Sequence, residues 1–174
     1  MAILSFQIVL LILVSNPLLN AQENKGLKVS FWNVENLFDL DNDPEKNDDE
    51  FSTGGRKNVT TEIYNLKLKN CGEVLQDLNA DILGICEVEN RFMLEELNRA
   101  YTDRDYSIVH YDSPDNRGID CALLYDAKVF KLLESKPVEN ILPGNLPTRD
   151  IVYVKGSFHD QLLHIFVNHW PSNY

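Results

Sequence analysis

Asn33, Glu87 and His169 each fall at or just after the C-terminal end of a segment predicted to be a strand. Side chains there leave the core and reach solvent while their backbone stays anchored, which is where a reactive group can be held in place. The three types complement one another. A carboxylate ligates a hard divalent cation, an imidazole exchanges protons near neutral pH, and a carboxamide donates and accepts hydrogen bonds without adding charge. Taken singly, each has a plainer reading: a turn-forming Asn, a solvated Glu, a packing His beside Trp170-Pro171. The loop after Leu37 offers a competing metal site. Asp39, Asp41, Asp43 and Glu50 fall at positions 1, 3, 5 and 12 of a calcium-loop spacing, but position 6, where the sharp turn needs Gly, is Pro44. No amphipathic helix enters it, so it reads as a solvated, mobile acidic loop.

The elements that must position these residues follow from periodicity. Leu27 to Asn33 reads as a short strand, and Leu37 to Gly55 as a polar, Asp-rich loop. A helix is predicted from Thr61 to Leu78, with Ile63, Leu66, Val74, Leu75 and Leu78 on its inner face. Ile82 to Val88 is an apolar run, the mark of a strand covered on both faces. Asn90 can cap a second helix running to Tyr101, with Met93, Leu94 and Leu97 inward. Strands are then predicted at Tyr106 to Tyr111, Asp120 to Tyr125, Phe130 to Glu134, Ile151 to Phe158 and Leu162 to Asn168. The last two form a hairpin around His159-Asp160-Gln161, and Pro143-Gly144 and Pro147 punctuate the longest loop of this half. Helix-linked strands followed by antiparallel strands suggest an α/β mixed sheet or sandwich with helices outside, in one domain.

The chain has 174 residues, 44% of them hydrophobic, and a formal net charge of −11. That balance argues against affinity built from a broad basic surface, so a polyanion handled by this protein needs a metal bridge. No charged side chain precedes Glu23, and Ile3 to Val14 is nearly continuous apolar sequence. The run is shorter than the about 20 apolar residues of a membrane span. Residues 1–21 therefore read as a signal peptide with cleavage after Ala21, making the protein secreted or periplasmic, with an uncleaved membrane anchor as the alternative. Residues 22–174 are then the mature domain, with no stable membrane span. Cys71, Cys86 and Cys121 form no CxxC pair and are expected to be buried small hydrophobes.

Five strings occur in order: FWNVENLFD from Phe31, ADILGICEVEN from Ala80, RGIDCALLY from Arg117, TRD from Thr148, and VNHWPS from Val167. Together they resemble the endonuclease/exonuclease/phosphatase superfamily, with its deoxyribonuclease I-like fold, and most closely its exported bacterial endonuclease-like branch. The resemblance implies a four-layer α/β sandwich, represented here by roughly its N-terminal half. It makes Glu87 the metal-binding carboxylate and Asn33 the amide that orients the scissile phosphate. His169 becomes the imidazole that stabilises or protonates phosphate oxygens, and Arg149 a contact to the substrate phosphate. Asp120, Arg117 and Asn168 take supporting roles. The cofactor implied is Mg²⁺, with Mn²⁺ or Ca²⁺ as alternatives, and the partner is nucleic acid or another phosphodiester reached through the metal. The physical logic agrees, because an anionic diester repels hydroxide and needs positive charge at its non-bridging oxygens.

The resemblance also implies a second half that supplies an Asp-x-Asn pair and a terminal Asp-His pair, and neither follows His169 in this sequence. The chain is accordingly expected to be incomplete and inactive alone, with a sheet edge and an apolar face exposed where a missing half or partner chain would sit. The alternatives are a non-catalytic remnant or binding module of the same fold, and a phosphohydrolase acting on a phospholipid or a phosphomonoester.

Overall fold

The computed structural model describes residues 26–170. The predicted signal peptide, residues 1–21, lies outside the described residues. Among these, no helix is long and apolar enough to cross a membrane.

The chain begins with a parallel pair joined through a helix. Strand β1 (Val29–Leu37) is followed by a long loop, α1 (Thr61–Leu78) and β2 (Ile82–Val88), which lies parallel to β1. Helix α2 (Arg91–Ala100) leads to β3 (Ser107–His110) and β4 (Asp120–Tyr125), and β4 lies antiparallel to both β2 and β3. The resulting mixed sheet has the order β1-β2-β4-β3. Next comes β5 (Lys131–Val138), then a two-stranded ribbon of β6 (Ile141–Leu142) and β7 (Leu146–Pro147). Strands β8 (Ile151–Phe158) and β9 (Gln161–Val167) complete a second, antiparallel sheet of order β5-β8-β9.

Two cores hold three layers together. Leu83, Ile85 and Val88 of β2 pack with Leu75 of α1 and Met93, Leu94 and Leu97 of α2, between the helices and the first sheet. Ile82, Cys86, Cys121 and Leu123 pack with Phe130, Val152, Val154 and Val167, between the two sheets. Residues of β2 therefore alternate between the two cores, as a strand covered on both faces must. The far face of the second sheet is uncovered among the described residues: Leu162 and Phe166 are 58% and 56% exposed, in register with Ser157 and Tyr153.

Both helices start where their caps lie. The Thr60 side chain accepts the Ile63 N–H, and Asn90 accepts that of Met93. The inner face of α1 differs from expectation. Leu68, Cys71, Gly72 and Leu75 are buried, while Ile63 and Leu66 are more than half exposed. The reason is the close approach of α2: a Cβ at Gly72 would lie 2.6 Å from the Ala100 carbonyl oxygen. The stripe containing this glycine, not the more apolar one beside it, is the one that fits. All three cysteines are free and buried, as expected.

Asn90 also donates from Nδ2 to Asp39 Oδ2 at 3.0 Å, so one side chain caps α2 and tethers the start of the acidic loop. Asn90→Ala is expected to cost about 1–2 kcal/mol in a denaturant titration. A change within error would show that the cap is replaced by water.

Candidate functional site

Glu87 is displaced from the ladder on both sides. Across β2 and β4, Cys86 faces Cys121 but Val88 faces Asp120, so two residues of β2 advance against one of β4. Across β1 and β2 the register slips between Asn33 and Leu37, where Glu35 and Asn36 take positive φ values of 55° and 61°. Glu87 itself has φ 63°. Paired bulges of this kind re-aim a side chain at a strand end. Without the extra residue, alternation would send Glu87 towards the helices; with it, Val88 fills that place in the helix-side core and the Glu87 carboxylate is freed. One of its oxygens, Oε2, accepts the Asn36 N–H at 3.1 Å.

The other oxygen, Oε1, lies 3.3 Å from His169 Nε2, at the end of β9 in the second sheet. The pair bridges the ends of the two sheets. Burial lowers the His169 pKa below its ordinary value, the positive charge of Arg149 lowers it further, and Glu87 opposes both. His169 Nδ1 is buried without a hydrogen-bond partner. Its backbone carbonyl accepts from Arg149 Nε at 3.0 Å, and Arg149 Nη1 donates to Asp115 Oδ2 at 3.0 Å. Asp115 Oδ1 accepts the Arg117 backbone N–H at 2.9 Å and stands 3.6 Å from Arg117 Nε. Burial also pushes the neighbouring Cys86 and Cys121 thiols up to about 12, so neither is a nucleophile at neutral pH.

The remaining expected residues are distributed differently. Asn33 pairs in register with Cys86, one residue before Glu87, and its Oδ1 accepts the Glu35 N–H at 2.8 Å. Asn168 turns back on its own segment, donating to the Phe166 carbonyl at 3.1 Å. Asp120 belongs to a separate cluster. Its Oδ2 lies 3.0 Å from His110 Nε2, and its Oδ1 accepts both the backbone N–H and the hydroxyl of Ser113. His110, Asp112 and Asp120 bring one ligand atom each to within 4.8 Å of one another, a His/Asp cluster capable of coordinating a divalent ion. Its one nitrogen and two oxygens suit transition ions such as Mn²⁺ or Zn²⁺ as well as harder ones. His110 and Asp120 pair with Ala122 and Val88, both members of the helix-side core, so this cluster and the Glu87–His169 pair lie on opposite faces of one sheet end.

The acidic loop is solvent-exposed from Asp41 to Glu45, as expected, but it is anchored at other points. Phe38 and Phe51 stack with centroids 4.2 Å apart, and Asp48 is buried, accepting the Asp43 N–H. Asp39, Asp41 and Asp43 line a cavity of about 360 Å³ with Lys46, Glu89, Asp112 and Asp120. Burial raises the Glu89 pKa to about 7, opposed by the Asp39 N–H it accepts and reinforced by the charges of Asp39, Asp48 and Asp43. Asp115, His110 and Ser113 went unrecognised as site residues in the sequence. The only local sign was the polar, turn-rich segment Ser113-Pro114-Asp115-Asn116 between two strands, and Arg149 is 34 residues from Asp115 along the chain.

No curated protein matches this chain. Among solved structures, an endonuclease/exonuclease/phosphatase family protein from Bacteroides thetaiotaomicron is similar with a TM-score of 0.53 and 17% identity, over 80% of this chain and 47% of that one. A D. rerio TDP2 humanized by 14 mutations has a TM-score of 0.53 and 15% identity, over 80% of this chain and 45% of that one. TDP2 from Caenorhabditis elegans has a TM-score of 0.51 and 19% identity, over 66% of this chain and 32% of that one. At these identities the likeness speaks to the fold, and the chain spans less than half the length of each. The family described as the Endonuclease/Exonuclease/phosphatase family matches residues 28–174, which takes in every strand and helix described above. The chain belongs to the endonuclease/exonuclease/phosphatase family.

Proposed function

We propose that the chain carries the metal-binding and phosphate-stabilising side of a divalent-metal-dependent phosphoesterase, with a phosphodiester of nucleic acid as its favoured substrate. Family membership and a His/Asp cluster fit to hold a divalent ion support phosphoesterase chemistry in general. The observation that carries the reading is the 3.3 Å approach of His169 to Glu87 between the two sheets, with Arg149 and Arg117 close enough to act on the same imidazole. A carboxylate that serves a metal needs an oxygen not already taken by backbone donors. Glu87 meets this, since Oε2 takes the Asn36 N–H and Oε1 faces only the imidazole. Glu87 would hold Mg²⁺ or Mn²⁺, with water and the substrate phosphate completing the shell. When bound, such an ion neutralises charge on the phosphate and polarises it.

The chain's own residues then divide the work. Asn33 spends its carbonyl oxygen on Glu35, leaving the amide group to donate to a phosphate oxygen. His169, whose pKa burial and the nearby arginines lower, would present Nε2, the nitrogen beside Glu87, as a donor to a phosphate oxygen. In the same reading residues 1–21 are an export signal and the protein belongs to the exported bacterial branch of the family.

The test is calorimetric binding of bis(p-nitrophenyl) phosphate to the full chain. Binding is expected with Mg²⁺ or Mn²⁺, to vanish with EDTA, and to lose its metal-dependent part in Glu87→Gln. Equal binding with and without metal, or an unchanged Glu87→Gln variant, overturns the reading.

A further inference from the structure

The geometry points to Arg117 as the guanidinium that meets the substrate phosphate, with Arg149 a positioning residue that holds His169 in place. This rests on the phosphoesterase reading and departs from the role that the sequence resemblance implies for Arg149.

The two arginines differ in what they have left to offer. Arg149 is 7% exposed, and its Nε and Nη1 are committed to the His169 carbonyl and to Asp115. Those bonds tie the end of β9 to the loop after β3, which is how His169 comes to lie beside Glu87. Arg117 has a side chain 49% exposed, and it touches Asp115 through one edge only. A guanidinium binds phosphate best through two parallel N–H donors on one edge, and an exposed side chain has such an edge to give.

Arg117 is also carried on a fixed base. Lys46 Nζ donates to the carbonyls of Ser113 at 3.3 Å and Asp115 at 3.2 Å, and the Asn47 N–H donates to the Asn116 carbonyl at 2.8 Å. The acidic loop thus clamps the segment that bears Arg117, and little ordering remains to be done when a ligand arrives. Asp115 aims both arginines: it neutralises the buried one and orients the exposed one. In a chain of net charge −11, this puts an exposed positive edge on the same Asp115 that holds Arg149, whose Nε bonds the His169 carbonyl.

The experiment uses the full chain with Mg²⁺ and bis(p-nitrophenyl) phosphate as the calorimetric probe, together with the His169 imidazole signals and the melting temperature of the ligand-free protein. Arg117→Ala is expected to weaken diester binding about tenfold, with the melting temperature unchanged, and Arg117→Lys to recover part of the loss. Arg149→Lys is expected to shift the imidazole signals and lower the melting temperature before any ligand is added. Wild-type affinity in Arg117→Ala overturns the inference, as does an Arg149→Lys variant that loses affinity with signals and melting unmoved. If the wild-type chain binds no diester, the phosphoesterase reading falls and this inference falls with it.

Discussion

Asp115→Ala is expected to destabilise the protein by about 3–5 kcal/mol, the range for removing one partner of a buried ion pair. The carboxylate and the Arg149 guanidinium are each about 8% exposed and meet at 3.0 Å. Arginine cannot shed its proton inside a protein, so the variant must either bury an unpaired cation or open the end of the sandwich to water. An exposed pair at the same distance gives the scale. Arg91 and Glu95 also meet at 3.0 Å, but their side chains are 52% and 45% exposed, and Glu95→Ala should cost less than about 1 kcal/mol. Burial, not distance, makes the difference. Denaturant titrations of both variants check this, with Asp115→Ala plus Arg149→Met expected to recover much of the loss by removing the stranded charge. If Asp115→Ala costs as little as Glu95→Ala, Arg149 escapes to solvent and cannot be what holds His169.

The same ion pair marks the limit of what the sequence discloses. Helix α1 and strands β2 and β4 begin and end where periodicity places them, and α2 starts at its expected Asn90 cap, because their signals are local: a capping side chain and apolar positions bounded by polar residues. Strand β1 runs on to Leu37 past the expected end at Asn33, since Val34 and Leu37 are buried while Glu35 and Asn36 bulge outward in turn-like conformations. Strand β5 continues through Pro137, which is tolerated because β5 is at an edge of its sheet. Glu87 and His169 were legible as polar residues at strand ends. Their meeting was not, because it depends on two bulges and on how two sheets are stacked. Asp115, 34 residues from Arg149, and His110, across a strand pair from Asp120, have no periodicity to announce them.

Gly156→Ala is expected to cost about 3 kcal/mol, much more than a methyl group usually does on a strand. An added Cβ would lie 2.0 Å from Phe130 Cζ and 2.6 Å from the Lys131 carbonyl oxygen. Neither can yield cheaply. Phe130 is fully buried, with its ring edge-on to Tyr125 at 5.5 Å, and Lys131 opens β5, whose residue Leu132 pairs with Gly156. Relief requires β5 to slide away from β8, and β8 also carries Val152 and Val154 into the core between the sheets. Adding Phe130→Leu separates the two clashes. It removes the ring but leaves the carbonyl, so it should restore only part of the stability. Full restoration would assign the whole cost to the ring, and wild-type stability of Gly156→Ala alone would sink the packing argument. The consequence reaches the site through β9, which pairs with β8 along its whole length and delivers His169 to Glu87. A displaced β8 is therefore expected to weaken the proposed metal-dependent diester binding in the fraction that stays folded, and to do so from a residue that touches none of the chemistry.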